Sequence, residues 1–106
     1  MSRRGYVYLI CNPQTNAFKI GVTTGSIESR IKKLQTGNDC ELHIVAWHES
    51  TRPFKIEKLL HRKCYGEHKL NEWFELTDEE VFGFRDECEK MERMLDSISD
   101  NPYLRL

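Results

Sequence analysis

The chain has 106 residues, of which 39% are hydrophobic and 31% are charged, and its formal net charge is −1. This length and balance are typical of one globular domain and exclude a disordered or fibrous chain. No apolar run approaches the roughly 20 residues that a membrane-spanning helix needs, and the apolar stretch after Arg3 and Arg4 is too short for a signal peptide. We therefore expect a single domain over residues 1–106, no membrane partner and a cytoplasmic location, or a nuclear one in a eukaryotic host.

Charge is unevenly distributed along the chain. Residues 1–75 hold 12 Lys and Arg against 8 Asp and Glu, a net of +4, whereas residues 76–106 hold 4 against 9, a net of −5. A basic region attracts phosphates and an acidic region repels them, so the first three quarters of the chain permit a nucleic-acid partner. The same division is also typical of two ordinary solvated surfaces, and charge alone does not decide between these interpretations.

The four cysteines are distant from one another in the sequence. They include no CxxC pair, which argues against a cysteine-based zinc site, and in an intracellular protein they are expected to be thiols. They are Cys11, Cys40, Cys64 and Cys88.

The first two predicted elements are strands that form a hairpin. Residues 5–11 and 17–22 are rich in β-branched and aromatic residues, and the segment between them has the composition of a turn. Alternation assigns one face of the hairpin to the core, namely Val7, Leu9, Cys11, Phe18, Ile20 and Val22. The opposite face presents Tyr6, Tyr8, Ile10, Lys19 and Gly21, a set that is also typical of a half-solvated sheet face.

A helix, a strand and a second helix follow the hairpin. Ser26 is the predicted N-cap of a helix over residues 27–35 that Gly37 ends. Residues 42–48 form a third strand. Pro53 suits the first position of the next helix, which runs to about residue 64. Its core-facing residues are expected to be Phe54, Leu59 and Leu60 with the stem of Ile56.

The last predicted element is one long helix that begins at a capping box over residues 77–80. Its apolar residues recur at heptad-like spacing and predict packing on the domain's own core, with a homodimer or a protein partner on this helix as the alternative. These residues are Val81, Phe84, Cys88, Met91, Leu95 and Ile98. The expected fold class is α/β (α+β), with a small three-stranded antiparallel sheet flanked by helices.

Residues with chemical potential occur in a definite order along these elements. Tyr6-Val7-Tyr8 lies in the first strand, Lys19-Ile20-Gly21 in the second, Arg30 in the first helix and Glu57 in the second helix, and Asn71 follows. This order resembles that of the GIY-YIG nuclease superfamily. A phage- and virus-associated branch has Lys-Ile-Gly in the second motif, as here, where the name-giving motif has tyrosine. The same branch has Glu-x-x-Leu-His and Glu-Trp-Phe, which match residues 57–61 and 72–74.

The resemblance covers residues 5–76 and implies a nuclease core there, followed by an acidic helix and tail over residues 77–106. It implies a divalent-metal-dependent DNA endonuclease in which Glu57 binds the metal. The implied catalytic residues are Tyr8, Lys19, Arg30 and Glu57, and the implied supporting residues are Tyr6, Gly21, His61, Asn71 and Glu72.

Physical chemistry suggests a role for each catalytic residue. A phenol has a pKa of about 10, so it needs a neighbouring cation to act as a base near neutral pH. We hypothesise that Tyr8, tuned by Lys19, takes a proton from water and that Arg30 binds the scissile phosphate. Glu57 would hold one Mg²⁺ or Mn²⁺ ion, which would stabilise the departing 3′ oxygen. Lys32 and Lys33, beside Arg30, are expected to contact nucleic acid.

Several assignments have alternatives. His61 is a second metal contact, a phosphate donor or an ordinary helix residue, and Asn71 either acts at the site or fixes a loop. Glu72 supports Arg30 or faces solvent. Trp73 and Phe74 are expected in the core, with base stacking as the alternative. The alternative function is a catalytically weak or inactive module that binds nucleic acid or a protein on the same fold.

Overall fold

The architecture is α+β, with an antiparallel sheet whose faces carry helices. The computed structural model describes residues 4–37, 41–64, 69–70 and 73–100. In chain order the elements are β1 (Gly5–Asn12), β2 (Ala17–Thr23), α1 (Ile27–Thr36), β3 (His43–Ser50), α2 (Pro53–Cys64), β4 (Lys69–Leu70), β5 (Trp73–Phe74), α3 (Asp78–Phe82) and α4 (Phe84–Asp100). The described strands form a five-stranded sheet in the order β3-β1-β2-β5-β4.

The prediction of three strands is wrong in number. Strands β4 and β5 have two residues each, too few for an alternation pattern to reveal them. They form through pairing, with Phe74 opposite Phe18 of β2 and Lys69 opposite Phe74. The sequence predicts a loop over residues 66–70. Residues 69–70 are instead in a strand, and residues 66–68 lie outside the described residues.

The hairpin of β1 and β2 has the predicted antiparallel register. Tyr8 lies opposite Gly21, Leu9 opposite Ile20 and Ile10 opposite Lys19. On its other edge β1 pairs with β3, and the register shifts between Leu9 and Ile10. Strand β1 is therefore paired on both sides along nearly its whole length.

Both faces of the sheet contribute buried residues at β1 and β2. One face contributes the predicted core positions Val7, Leu9, Phe18 and Ile20, which pack with residues of α2 and α4. On the other face Tyr8 and Ile10 are 1% and 0% exposed and pack with Leu42 and with Ile31 and Leu34. Helix α1 thus covers Tyr8 and Ile10, whereas Tyr6 and Lys19 on the same face are half-buried and Trp47 of β3 is 51% exposed, so the prediction of a half-solvated face is confirmed only in part.

Helix α1 has the predicted caps. The Ser26 side chain accepts a hydrogen bond from the Ser29 N–H, and Gly37 is the C-cap. Pro53 is the first residue of α2, as predicted, and Ile56 and Leu60 are buried. Phe54 was expected in the core, but it is 62% exposed, because the α2 positions that face the sheet are those of Ile56 and Leu60.

The predicted last helix is two helices. The capping box at Thr77 and Glu80 begins α3, and Gly83 then ends it, with its N–H donating to the Glu79 carbonyl. Glycine favours such a break because it is a poor residue for a helix interior. In α4, Phe84, Cys88 and Met91 join the core of the first sheet face, which confirms the predicted packing of the stripe.

In the described ranges, no helix combines the length and the apolar character that crossing a bilayer requires.

Candidate active site

Six of the predicted site residues line one cavity of about 230 Å³. It lies along β2 at the Gly21 end, between α1 and α2. Apolar parts of the wall come from Ile20, Val22 and Phe54. The predicted residues in the lining are Tyr8, Lys19, Gly21, Arg30, Glu57 and His61.

Gly21 makes room for the ring of Tyr8. The two residues are opposite each other on neighbouring strands, and a Cβ atom built on Gly21 would lie 2.3 Å from Tyr8 Oη and 2.5 Å from Tyr8 Cζ. Such distances are far inside van der Waals contact, so a Cβ atom there would force the buried ring to shift. A side chain at position 21 is therefore incompatible with this position of the phenol.

Arg30 contacts the phenol directly. Its Nε donates a hydrogen bond of 3.2 Å to Tyr8 Oη. The helix that carries Arg30 is held by the buried Ile27 and by the Ser26 cap, so the backbone at Arg30 is fixed within the first turns of α1. The sequence analysis assigns the role of a neighbouring cation to Lys19. Lys19 lines the same cavity, and Arg30 is a further cation beside the hydroxyl.

Helix α2 presents Phe54, Glu57 and His61 to the cavity at spacings of three and four residues, which place them on one helical face. The opposite face carries the buried Ile56 and Leu60 and holds the helix against the sheet. Glu57 is half-buried, so its carboxylate lies at the cavity wall and remains within reach of solvent.

His61 differs from an ordinary surface residue of a helix. Its Nε2 atom is buried and has no hydrogen-bond partner among the described residues. Its ring meets Phe74 edge-on at a centroid distance of 5.1 Å. A buried polar atom without a partner is costly, which is why such atoms often mark a site for a ligand, an ion or water. This observation favours the two functional interpretations of His61.

The donors in the cavity suit a magnesium-like ion better than zinc. Within residues 4–37, 41–64, 69–70 and 73–100, no group of three or more His, Cys, Asp and Glu side chains could enclose a metal. The cavity offers the Glu57 carboxylate and the His61 imidazole. Mg²⁺ keeps several waters and needs only one or two carboxylates, and Mn²⁺ also suits carboxylate and water ligands. The residues present therefore fit one such ion.

A second cavity of about 400 Å³ shares Val22, Arg30 and Phe54 with the first. Lys33 lines it, as expected for a residue three positions after Arg30. Lys32 lines neither cavity, because a step of two residues turns its side chain away from the side of Arg30. The remaining lining is small and rich in hydroxyls: Thr23, Thr24, Gly25, Ser26 and Ser29.

One predicted supporting residue, Tyr6, lies outside the cavity lining, and two others are not among the described residues. Tyr6 is half-buried on β1, opposite Thr23 and Glu49, and does not line either cavity. Asn71 and Glu72 lie outside the described residues. Conversely, the sequence did not predict Phe54 or the hydroxyl-rich lining. The three-residue spacing of Phe54 and Glu57 is the signal that would have placed Phe54 beside the carboxylate.

Comparison with known proteins identifies a family. The family model of the T5orf172 domain matches residues 5–94, which spans every strand and reaches into α4. Neither the comparison with curated proteins nor the comparison with solved structures gives a match.

Proposed function

The chain belongs to the T5orf172 domain family, which is associated with nuclease and DNA-interacting function, and we propose that it is a divalent-metal-dependent DNA endonuclease of the GIY-YIG type. One observation carries the proposal. Tyr8, Lys19, Arg30 and Glu57 come from β1, β2, α1 and α2, yet they line one cavity. Core packing does not require a phenol, two cations and a carboxylate in one place, whereas phosphodiester hydrolysis can use them as base, phosphate-binding groups and metal ligand.

The cations make this cavity suitable for a phosphodiester. Lys19 and Arg30 line it, and Lys33 lines the adjoining one. The guanidinium of Arg30 has five N–H donors, so the Nε bond to Tyr8 is compatible with binding of phosphate oxygens by the rest of the fork. In a partly enclosed site these charges stabilise the extra negative charge of the transition state more strongly than they would in bulk water.

Tyr8 is the proposed general base. Its hydroxyl oxygen accepts a hydrogen bond of 3.2 Å from Arg30 Nε, which orients the oxygen in the cavity. Lys19 adds a second positive charge to the same cavity. The buried ring holds the oxygen in one place, which reduces the entropic cost of the proton transfer from water.

Glu57 is the proposed metal ligand, with His61 as a second contact or as a hydrogen-bond partner for water or phosphate. When bound there, Mg²⁺ or Mn²⁺ would supply Lewis-acid stabilisation of the leaving 3′ oxygen. The part of the chain itself is to hold a single carboxylate at the wall of the cavity that the phenol and the two cations also line. Two cations and one carboxylate keep the net charge of the cavity favourable for an anion.

Lys19 supports a second candidate function, a non-catalytic nucleic-acid-binding module on the same fold. It stands where the name-giving motif has a second tyrosine, and a site with fewer phenols binds phosphate while hydrolysing it slowly. The two candidates differ in whether any DNA is cut when the metal is present.

Plasmid nicking separates the candidates. The purified protein should nick supercoiled DNA in Mg²⁺ or Mn²⁺, and Glu57→Gln should lower the rate by about a hundredfold or more, because the ion loses its carboxylate. Glu79→Gln is the matched control, since Glu79 is exposed on α3 and lines neither cavity. Nicking that survives Glu57→Gln would contradict the proposed site. Binding of DNA without cleavage of any form would favour the module.

A further inference from the structure

Phe54 is an exposed aromatic residue at the boundary of the two cavities. Its proposed role rests on the proposed nuclease function. We propose that Phe54 stacks on an unpaired base beside the scissile phosphate. The substrate is then nucleic acid whose bases are exposed at the point of cleavage, as in single strands, flaps and frayed ends. Phe54 is accordingly a residue that determines specificity.

The side chain of Phe54 takes no part in packing the core. The side chain is 62% exposed and belongs to neither core cluster of the described residues. It lines both cavities, so any molecule that spans them passes the ring. Glu57 follows three residues later on the same face of α2, which places the ring beside the carboxylate.

The backbone under Phe54 is rigid. Pro53 is buried, and it packs so closely on Gly5 that a Cβ atom there would lie 2.9 Å from Pro53 Cγ. Ile56 and Leu60 are 0% and 1% exposed and fix the rest of the helix against the sheet. A ring presented on a fixed backbone binds a planar partner with little ordering cost.

The second cavity suits the neighbouring phosphate of the same strand. Lys33 and the shared Arg30 supply positive charge, the other polar side chains are hydroxyls, and no acidic residue occurs in its described lining. Its volume of about 400 Å³ falls in the range of roughly 300–1,000 Å³ that small-molecule ligands occupy.

A strand that crosses the boundary therefore places one phosphate in each cavity and a sugar and base between them, at Phe54. In a duplex that base is stacked and paired inside the helix, and it becomes available only after unpairing. The geometry thus favours unpaired nucleotides over intact duplex.

Binding without metal tests the inference separately from catalysis. Fluorescence anisotropy in EDTA compares a labelled single-stranded oligonucleotide with its duplex, for the wild type, Phe54→Ala and Phe82→Ala. Phe82 is the matched control, because it is 86% exposed on α3 and lines neither cavity. We expect Phe54→Ala to weaken single-strand binding about tenfold, Phe54→Trp to retain it and Phe82→Ala to leave it unchanged.

The same proteins with Mg²⁺ complete the test. The wild type should cut single-stranded or flapped DNA faster than duplex, and Phe54→Ala should lose that preference. Equal single-strand binding by Phe54→Ala and Phe82→Ala would overturn the inference. An equal loss of affinity for duplex and for single strand in Phe54→Ala would do the same. If the wild type cuts nothing while Phe54→Ala still weakens single-strand binding in EDTA, the stacking site stands and the nuclease proposal fails.

Discussion

Tyr8 combines a fully buried ring with a hydroxyl that meets a cation. Its side chain is 1% exposed, and burying a phenol costs free energy unless the hydroxyl is hydrogen-bonded. Arg30 Nε provides that bond, so the interaction both stabilises the fold and prepares the proposed base. The two contributions can be separated, because removing the oxygen alone leaves the ring and its packing in place.

Tyr8→Phe tests the oxygen. We expect a loss of cleavage rate of about a hundredfold or more, typical of losing a general base, with DNA affinity and melting temperature changed little. Tyr6→Phe makes the same chemical change on the same strand, outside the cavity lining, and should retain activity. Cleavage by Tyr8→Phe at the wild-type rate would eliminate the phenol as base.

Gly21→Ala tests the space that the phenol occupies. The new methyl group would collide with Tyr8 Oη, so we expect a loss of about 1–3 kcal/mol in the free energy of unfolding, as for other overpacked sites, together with loss of cleavage. Gly37→Ala is the control, because nothing lies within 4 Å of a Cβ atom there. Urea denaturation measures both variants, and equal stabilities would show that the ring moves aside at no cost.

The sequence predicted which residues share the site better than it predicted their contacts. Alternation placed Tyr8, Lys19 and Gly21 on one sheet face, and this placement is confirmed by the register. The bond from Arg30 to Tyr8 depends on how α1 docks across the sheet, which no local pattern specifies. The outward position of Phe54 likewise follows from the rotation of α2, and the roles of Asn71 and Glu72 stay predictions.

At the scale of elements, local signals located the helix ends. Each of these signals determines a helix end only a few residues away, and all are observed as predicted: Ser26, Gly37, Pro53 and the capping box at Thr77. Strand β5 depends instead on β2, which is distant in sequence, and β4 pairs only with β5, so these two-residue segments left no readable pattern.

Helix α4 is joined to β3 and to the segment before α2 by an ionic cluster. Glu92 meets His48 Nε2 at 3.0 Å, and Arg52 lies 3.6 Å from the other carboxylate oxygen of Glu92 and also pairs with Asp96. The cluster is partly shielded from solvent, so its charges interact more strongly than fully exposed pairs. Together with Phe84, Cys88 and Met91, it keeps α4 on the sheet face opposite α1.

Cys88 provides a test of the α4 packing. Burial, with smaller contributions from nearby glutamates, raises the pKa of its thiol from 9.0 to about 12. Because the thiolate is the reactive form, Cys88 should resist iodoacetamide at pH 8 in the folded protein and react in urea, as measured by peptide mass spectrometry. Labelling of Cys88 in the folded state would contradict the packing.

The raised pKa of the Cys88 thiol also predicts a pH effect on stability. Above pH 9 the unfolded thiol loses its proton while the folded thiol keeps it, so the unfolded state binds fewer protons. The free energy of unfolding should therefore decrease as pH rises from 9 toward 12, and more steeply than in Cys88→Ala. Parallel pH profiles of the two proteins, measured by urea denaturation, would contradict this effect.

At the scale of the whole molecule, the proposed site and the acidic residues belong to different elements. The cavity is built from β1, β2, α1 and α2, in the basic part of the chain, whereas nine acidic residues lie within residues 76–106. The acidic helix α4 is unsuited to bind DNA, but its carboxylates compete with the cavity for divalent cations. Where a cation binds is therefore the point on which the proposed function depends most directly.

Paramagnetic broadening of amide signals by Mn²⁺ locates the ion in solution. We expect one ion, with broadening that begins around Glu57 and Gly21, that Glu57→Gln abolishes and that Glu79→Gln preserves. Broadening centred on α4, or broadening around Gly21 that is unchanged by Glu57→Gln, would contradict a metal-dependent hydrolytic centre in this cavity.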